Sequence, residues 1–129
     1  MERPEIVTRT ARHYLDELGI FHTINHPGVE QTLEAARENL QATVELSGGQ
    51  RRPLLVDIRQ IKSQTREARD YYTGPEGTRC FSAAAMLVDS PVSRLLGNFM
   101  IGFNKSSSVP GKLFSSEAEA IEWLKTFLD

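Results

Sequence analysis

Cysteine is almost missing from this chain. Cys80 is the sole one among 129 residues, so no disulfide can form within the chain, and a reducing cytoplasm is the expected setting. An excess of one charge sign is missing too. The net charge of -2 offers no concentrated basic face, and a nucleic-acid partner is not expected. No apolar run approaches the roughly 20 residues that cross a bilayer. The charged start Met1-Glu2-Arg3-Pro4-Glu5 has no apolar signal segment behind it, so no transmembrane segment is expected. Metal-ligand spacing is also lacking. If His22 and His26 occupy one strand and its end they stand about 13 Å apart, and Cys80 is remote from them and from His13. No metal and no cofactor is expected. Ser47-Gly48-Gly49-Gln50 lacks the lysine and hydroxyl of a phosphate-binding loop and reads as a helix terminator.

What is present is an ordinary globular composition. Hydrophobic residues make up 40% and charged residues 25%, and the length suits one domain spanning residues 1–129 with a real core. The alternation of elements then sets the fold class. Between residues 6 and 24, Ala11, Tyr14, Leu15 and Leu18 fit a helical face capped by Gly19. The rival reading is a hairpin, Val7 to Leu15 against Ile20 to Ile24, turning at Asp16 to Gly19. The threonines at 8, 10 and 23, with Ile6, Val7, Ile20, Phe21 and Ile24, favour the hairpin.

After the turn Asn25-His26-Pro27-Gly28, Thr32 is the N-cap of a helix with Leu33, Ala36, Leu40 and Val44 as its apolar stripe, ended by Gly48-Gly49. Leu54 to Ile58 is a buried strand. Ser63 or Thr65 caps a second helix, broken at Gly74-Pro75-Glu76-Gly77. Ala83 to Val88 is another buried strand, followed by Asp89 or Ser90 as N-cap and Pro91 at the first helical position. That third helix carries Val92, Leu95, Leu96, Phe99 and Phe103 on one face. A loop through Ser106 to Pro110 leads to a short strand at Lys112 to Phe114. Ser116 and Glu119 have the spacing of a capping box before a last stripe of Ala120, Ile121, Leu124, Phe127 and Leu128. The order β-β-α-β-α-β-α-β-α predicts an α/β sandwich: a mixed sheet of about five strands, opened by an antiparallel hairpin, with four helices.

The stretches "LLVDIR", "REARDYY", "AAAMLVDSPVSRLLGNF" and "NKSSSVPGKLFSSEAEAIEWL", with "LSGGQRRP", resemble STAS domains (sulfate transporter and anti-sigma-factor antagonist). The resemblance covers roughly residues 32 to 125 and is nearest to a small bacterial branch grouped with CRAL-TRIO-type lipid-binding folds. It implies a non-enzymatic regulatory or protein-interaction module, with a binder of a small apolar or lipid-like ligand as the alternative. One departure stands out. Anti-sigma antagonists carry an aspartate-serine-serine-glycine loop whose serine is phosphorylated, and this chain has Ile61-Lys62-Ser63-Gln64-Thr65 there.

The candidate residues follow from these placements. Asp57 ends a buried strand, where an open α/β sheet collects ligands, and reads first as a loop anchor and second as a site residue. Ser63 and Thr65 begin a helix, where a phosphate would meet the positive end of the dipole with Arg59, Arg66 and Arg69 nearby. A plain N-cap is the first reading and a phosphorylation switch the second. No nucleophile, base or metal set converges, so no catalytic residue is assigned; an enzyme using Asp57 and Asn98 is the third class. Cys80, beside Arg79, has no base next to it and reads as packed. Trp123, with Phe127 one turn on, reads as core. The "LLGNFMIGF" helix is apolar on most of its circumference. Ser93, Gly97, Met100 and Ile101 form a second side, and such a side is buried, lines a lipid-like pocket, or meets a partner, including a second copy in a homodimer.

Overall fold

The computed structural model describes residues 4–103 and 109–128, with the backbone alone for residues 99–103. One six-stranded sheet organises the chain. Its strands are β1 (Glu5–Val7), β2 (Ala11–Leu15), β3 (Phe21–Asn25), β5 (Arg52–Asp57), β7 (Phe81–Leu87) and β8 (Gly111–Phe114), and they lie in that spatial order. β1, β2 and β3 pair antiparallel, and every pairing from β3 to β8 is parallel. The hairpin is therefore present and the helical alternative for residues 6–24 is not. Its first arm is broken in two: Thr8 N–H donates to the Ala11 carbonyl at 2.9 Å, and the turn leaves β1 as an extra edge strand.

Two further strands, β4 (Glu30–Gln31) and β6 (Ser63–Gln64), form a separate parallel pair. They tie the loop after β3 to the loop after β5, helped by Gly28 N–H to the Gln60 carbonyl and Lys62 N–H to the Val29 carbonyl, both 2.8 Å.

The helices are α1 (Leu33–Ser47), α2 (Arg66–Thr73), the single turn α3 (Pro75–Thr78), α4 (Pro91–Phe103) and α5 (Glu117–Lys125). Their starts follow local chemistry. The side chains of Thr32, Thr65 and Ser116 accept from Ala35, Ala68 and Glu119 N–H respectively, each satisfying a donor the helix cannot. At α4 the Ser90 hydroxyl accepts from Ser93 N–H at 3.1 Å, while Ser93 Oγ accepts from Ser90 N–H and Asp89 N–H at 3.0 Å. Ser90 is thus the cap, closed reciprocally from the third helical position.

The parallel strands advance in one direction, so right-handed crossovers deliver their helices to one face of the sheet. Residues of α1 and α4 pack there against Phe21, Leu54, Val56, Phe81, Met86 and Val88. α5 follows the last strand and closes the opposite face over Ile20, Leu55, Ala83, Ala85 and Leu87, with Phe114, Trp123 and Phe127 at its edge. Trp123, expected in the core, is half-buried against its edge, ring against ring with Phe127 at 4.9 Å. The register slips between Arg52 and Pro53, where Phe81 and Ala83 are the successive partners. Ser82 is the extra residue. A bulge of this kind reverses side-chain alternation, which puts Phe81 on the same face as Ala84 and Met86.

Candidate functional site: an internal cavity with one polar wall

Between the sheet and α1–α4 lies a cavity of about 100 Å³. Its floor is apolar, from Leu54, Val56 and Ile58 of β5 and its end, with Ala84 and Met86 of β7. Ala84, a small residue between Phe81 and Met86 on this face of β7, helps leave that space. The side toward β2, β3 and α1 is polar, and its side chains form one continuous chain of hydrogen bonds.

The chain starts on the hairpin. Thr23 Oγ1 lies 3.0 Å from His13 Nδ1, and His13 Nε2 lies 3.0 Å from Asn39 Oδ1. Asn39 Nδ2 donates to the Tyr72 hydroxyl at 3.1 Å, and that hydroxyl donates to Gln31 Oε1 at 3.1 Å. Gln31 Nε2 donates to Asn25 Oδ1 at 2.6 Å, and Asn25 Nδ2 to the Asp57 carbonyl at 2.9 Å. Since Asn39 Oδ1 can only accept, His13 carries its proton on Nε2 and its Nδ1 accepts from Thr23. Six side chains from β2, β3, β4, α1 and α2 thereby connect the hairpin to the carboxyl end of β5. Burial pushes the His13 imidazole below its ordinary range, with the Asn39 bond opposing. Burial also pushes the Tyr72 phenol up to about 12. Both groups are neutral at neutral pH.

Sequence reading missed this wall. Asn39 and Thr43 are buried on the inner face of α1, whereas Val44, expected in the stripe, is exposed. The available signal was their i, i+4 spacing beside Ala36 and Leu40, which places two polar side chains on an apolar face.

The singled-out residues fall into separate places. Asp57 Oδ1 accepts from the backbone N–H of Arg59 at 3.0 Å, and its two oxygens hold the Arg59 guanidinium at 3.0 and 2.7 Å. It anchors the loop after β5, and the carboxylate beside it raises the Arg59 pKa. Thr65, not Ser63, caps α2. Ser63 sits two residues earlier in β6, and its hydroxyl donates to Glu30 at 2.8 Å. A phosphate on Ser63 would meet that carboxylate. Arg66 is exposed and lies 3.9 Å from Asp70, Arg69 donates to the Gln64 carbonyl at 3.2 Å, and Arg59 is engaged by Asp57. Asn98 is exposed on α4.

On α4 two residues of the expected outer side are buried and two of the expected core stripe are exposed, while Leu96 of that stripe packs against the core as expected. Ser93, 1% exposed, and Gly97 face the sheet, where a Cβ on Gly97 would stand 2.5 Å from Leu113. Val92 and Leu95, expected in the core, are 55% and 56% exposed. The side chains of Phe99, Met100, Ile101 and Phe103, and the loop residues Ser106 to Ser108, lie outside the described residues.

His22 is apart from His13. It pairs with Asp16 at 2.8 Å and stacks on Tyr14, while Asp16 Oδ1 also accepts from Leu18 and Ile20 N–H and so fixes the hairpin turn. Cys80 Sγ donates to the Glu76 carbonyl at 3.4 Å, and burial pushes its thiol up against the pull of Arg79. No described helix is long and apolar enough to cross a membrane.

The chain is similar to proteins of solved structure. One is an uncharacterized protein of the DUF3478 family with a SpoIIAA-like fold from Shewanella loihica PV-4. It has a TM-score of 0.57 and 15% identity, with 95% of this chain and 92% of that chain covered. Another is a protein of unknown function from Arthrobacter sp. FB24, at 31% identity and a TM-score of 0.35, with 93% and 96% covered. No curated protein matches the chain. The first likeness shows the fold: a STAS-like, SpoIIAA-like α/β module, with six strands in the main sheet and five helices among the described residues, where about five and four were expected. Residues 14–128 match the family described as a domain of unknown function, DUF7793, and the chain belongs to that family.

Proposed function

We propose that this STAS-like protein is a non-enzymatic regulatory module that responds to a small, largely apolar molecule held between the sheet and α1–α4. The observation that carries the reading is the cavity itself, with an apolar floor on β5 and β7 and a hydrogen-bonded polar wall beside it. Interiors pack to the density of organic crystals, so a space of about 100 Å³ is a departure that costs stability unless something fills it. A ligand that binds only the folded state offsets that cost and makes stability depend on its concentration.

Catalysis is the weaker reading. Thr23, His13 and Asn39 do stand in the order of nucleophile, base and orienting amide. But β3 is an interior strand, paired with β2 on one side and β5 on the other, and the ladders engage its backbone N–H groups. An oxyanion forming at Thr23 would find no backbone donors there. Asp57 is committed to Arg59, and Asn98 is exposed on α4.

Native mass spectrometry of freshly purified protein tests the proposal. The expected result is a retained small molecule, lost in Ala84→Leu, a variant that fills the floor. Bare chain in the wild type, with no binding of any small apolar probe, would sink it. A second reading rests on Val92 and Leu95, exposed together on α4. They suit a protein partner or a second copy. If they form a homodimer, Leu95→Lys yields folded monomer in sedimentation, and a wild-type monomer at high concentration ends that version.

A further inference from the structure

We infer that the molecule held in this cavity is uncharged and presents one hydrogen-bond donor, an O–H or N–H, to the side-chain oxygen of Gln64. This deepens the ligand-binding reading and rests on it.

Three observations lead there. The first concerns charge. No lysine, arginine, aspartate or glutamate lines the cavity among the described residues. The two titratable groups on its wall, His13 and Tyr72, are kept neutral by burial from opposite directions. A carboxylate or ammonium entering this space would lose its water and gain no counter-charge, a cost of several kcal/mol for an ion.

The second concerns how fully the polar wall is already used. Thr43 Oγ1 donates to the Asn39 carbonyl at 3.0 Å, Thr73 Oγ1 to the Arg69 carbonyl at 2.8 Å and Thr78 Oγ1 to the Gly74 carbonyl at 3.0 Å. His13, Asn39, Tyr72 and Gln31 are committed to one another. Each of these threonine hydroxyls has spent its single proton, so a ligand finds no free hydroxyl donor there.

The third is the exception. Gln64 lines the cavity, and its Oε1 is buried with no protein partner. Gln64 pairs in register with Gln31 across β4 and β6, so the mini-sheet sets two carboxamides side by side. Gln31 is consumed by the hydrogen-bonded wall and Gln64 is left with an open acceptor. A buried acceptor has already lost its hydration, so a donor supplied from the cavity is rewarded with little further desolvation. Size completes the description. An apolar cavity of ~150 Å³ admits benzene, and this one is smaller, at about 100 Å³. A short alcohol is therefore the scale that fits within it, and a single-ring phenol is accommodated because the cavity is partly open.

Phenol, toluene and benzoate separate the possibilities, since toluene replaces the hydroxyl of phenol with a methyl group of similar size and benzoate adds a charge. Binding to the whole protein at neutral pH is followed by amide chemical shifts of residues around the cavity. The expected order is phenol about tenfold tighter than toluene, the worth of one hydrogen bond to a desolvated acceptor, with benzoate not binding. Gln64→Met should erase the preference for phenol while leaving toluene unchanged. Equal binding of phenol and toluene to the wild type, or tightest binding by benzoate, overturns the inference and leaves the ligand-binding reading in place. A phenol preference that survives Gln64→Met likewise overturns the assignment to Gln64. If none of the three perturbs the cavity residues, the ligand-binding reading falls as well.

Discussion

Replacing Asn39 with alanine should destabilise the fold far more than its position on a helix would suggest. Asn39 donates to Thr10 Oγ1 at 3.1 Å, to the Tyr72 hydroxyl at 3.1 Å and to Gln31 Oε1 at 3.3 Å. It accepts from His13 Nε2 at 3.0 Å and from Thr8 Oγ1 at 2.6 Å. Alanine removes all five contacts, but the losses are unequal. Tyr72 and Gln31 keep each other, and Thr8 keeps the Ala11 carbonyl at 3.2 Å. The stranded group is the His13 N–H, on a side chain 1% exposed, whose remaining neighbour is Thr8 Oγ1 at 3.4 Å. A buried donor left without a good partner costs about 1–3 kcal/mol, and the lost packing adds about 1. The expected total is about 2–4 kcal/mol, a sizeable share of the stability of an ordinary domain. Alanine has the higher helix propensity, so the intrinsic preference runs the other way and cannot produce the loss. Urea titration measures it as a lowered midpoint at unchanged slope. A cycle with Tyr72→Phe tests whether the wall acts as a unit, with a coupling above about 0.5 kcal/mol expected for residues in one network. An unchanged Asn39→Ala midpoint, or strict additivity with Tyr72→Phe, would refute the reasoning.

Three further outcomes are expected. Burial depresses the His13 pKa in the folded state, so the unfolded chain takes up a proton below about pH 6.5 while the folded chain resists. Its contribution to stability is complete above that pH and declines as pH falls toward the depressed folded value, by at most about 1.4 kcal/mol per unit. Thermal melting across this window should show the decline in the wild type and a shallower one in His13→Gln; equal slopes would remove His13 as the cause. Asp57→Ala should cost about 1 kcal/mol, because the Arg59 N–H it frees lies where water can reach it, and an unmoved urea midpoint would contradict the anchoring role. Thr65→Ala should cost about 1 kcal/mol as a lost helix cap while Ser63→Ala stays within about 0.5. The reverse ranking would return the cap to Ser63.

How much of this was legible in the sequence depended on how local the signal was. Caps are local: Thr32, Thr65 and Ser116 each sit before a helical pattern and each satisfies a backbone donor three residues on. Strand character in Leu54 to Ile58 and Ala83 to Val88 is local as well, and the alternation of those strands with helices fixed the sandwich. The β4–β6 pair was not legible. Two residues on each side carry no periodicity, and their pairing exists because two loops at the same end of the sheet are brought together by β3 and β5. The polar wall was hidden for a related reason. His13, Thr23, Asn25, Gln31, Asn39 and Tyr72 are far apart in sequence, and each alone reads as a surface residue that happens to sit near an apolar stripe. Their meaning is a property of closure: a buried polar side chain is tolerated when its partners arrive from other elements, and here they arrive from five.

The orientation of α4 shows where periodicity misleads even in a long, regular element. A helix apolar around most of its circumference has no direction written in its pattern, because either side would gain from burial. Reading the bulkiest stripe as the core stripe put Val92 and Leu95 inside. What decides the orientation is distance of approach, not apolar area. The backbone of α4 comes so near β8 and the end of β7 that a Cβ at position 97 would stand 2.5 Å from Leu113 and 3.5 Å from Val88. Only the side bearing Ser93 and Gly97 admits such an approach, and Ser93 turns its hydroxyl back to the Asp89 and Ser90 amides, so that no polar group is stranded by the contact. Once the small side is committed to the sheet, Val92 and Leu95 face outward as a geometric consequence. Small residues at helical spacing therefore mark the contact side of this helix, and Val92 and Leu95 beside them are left on the surface.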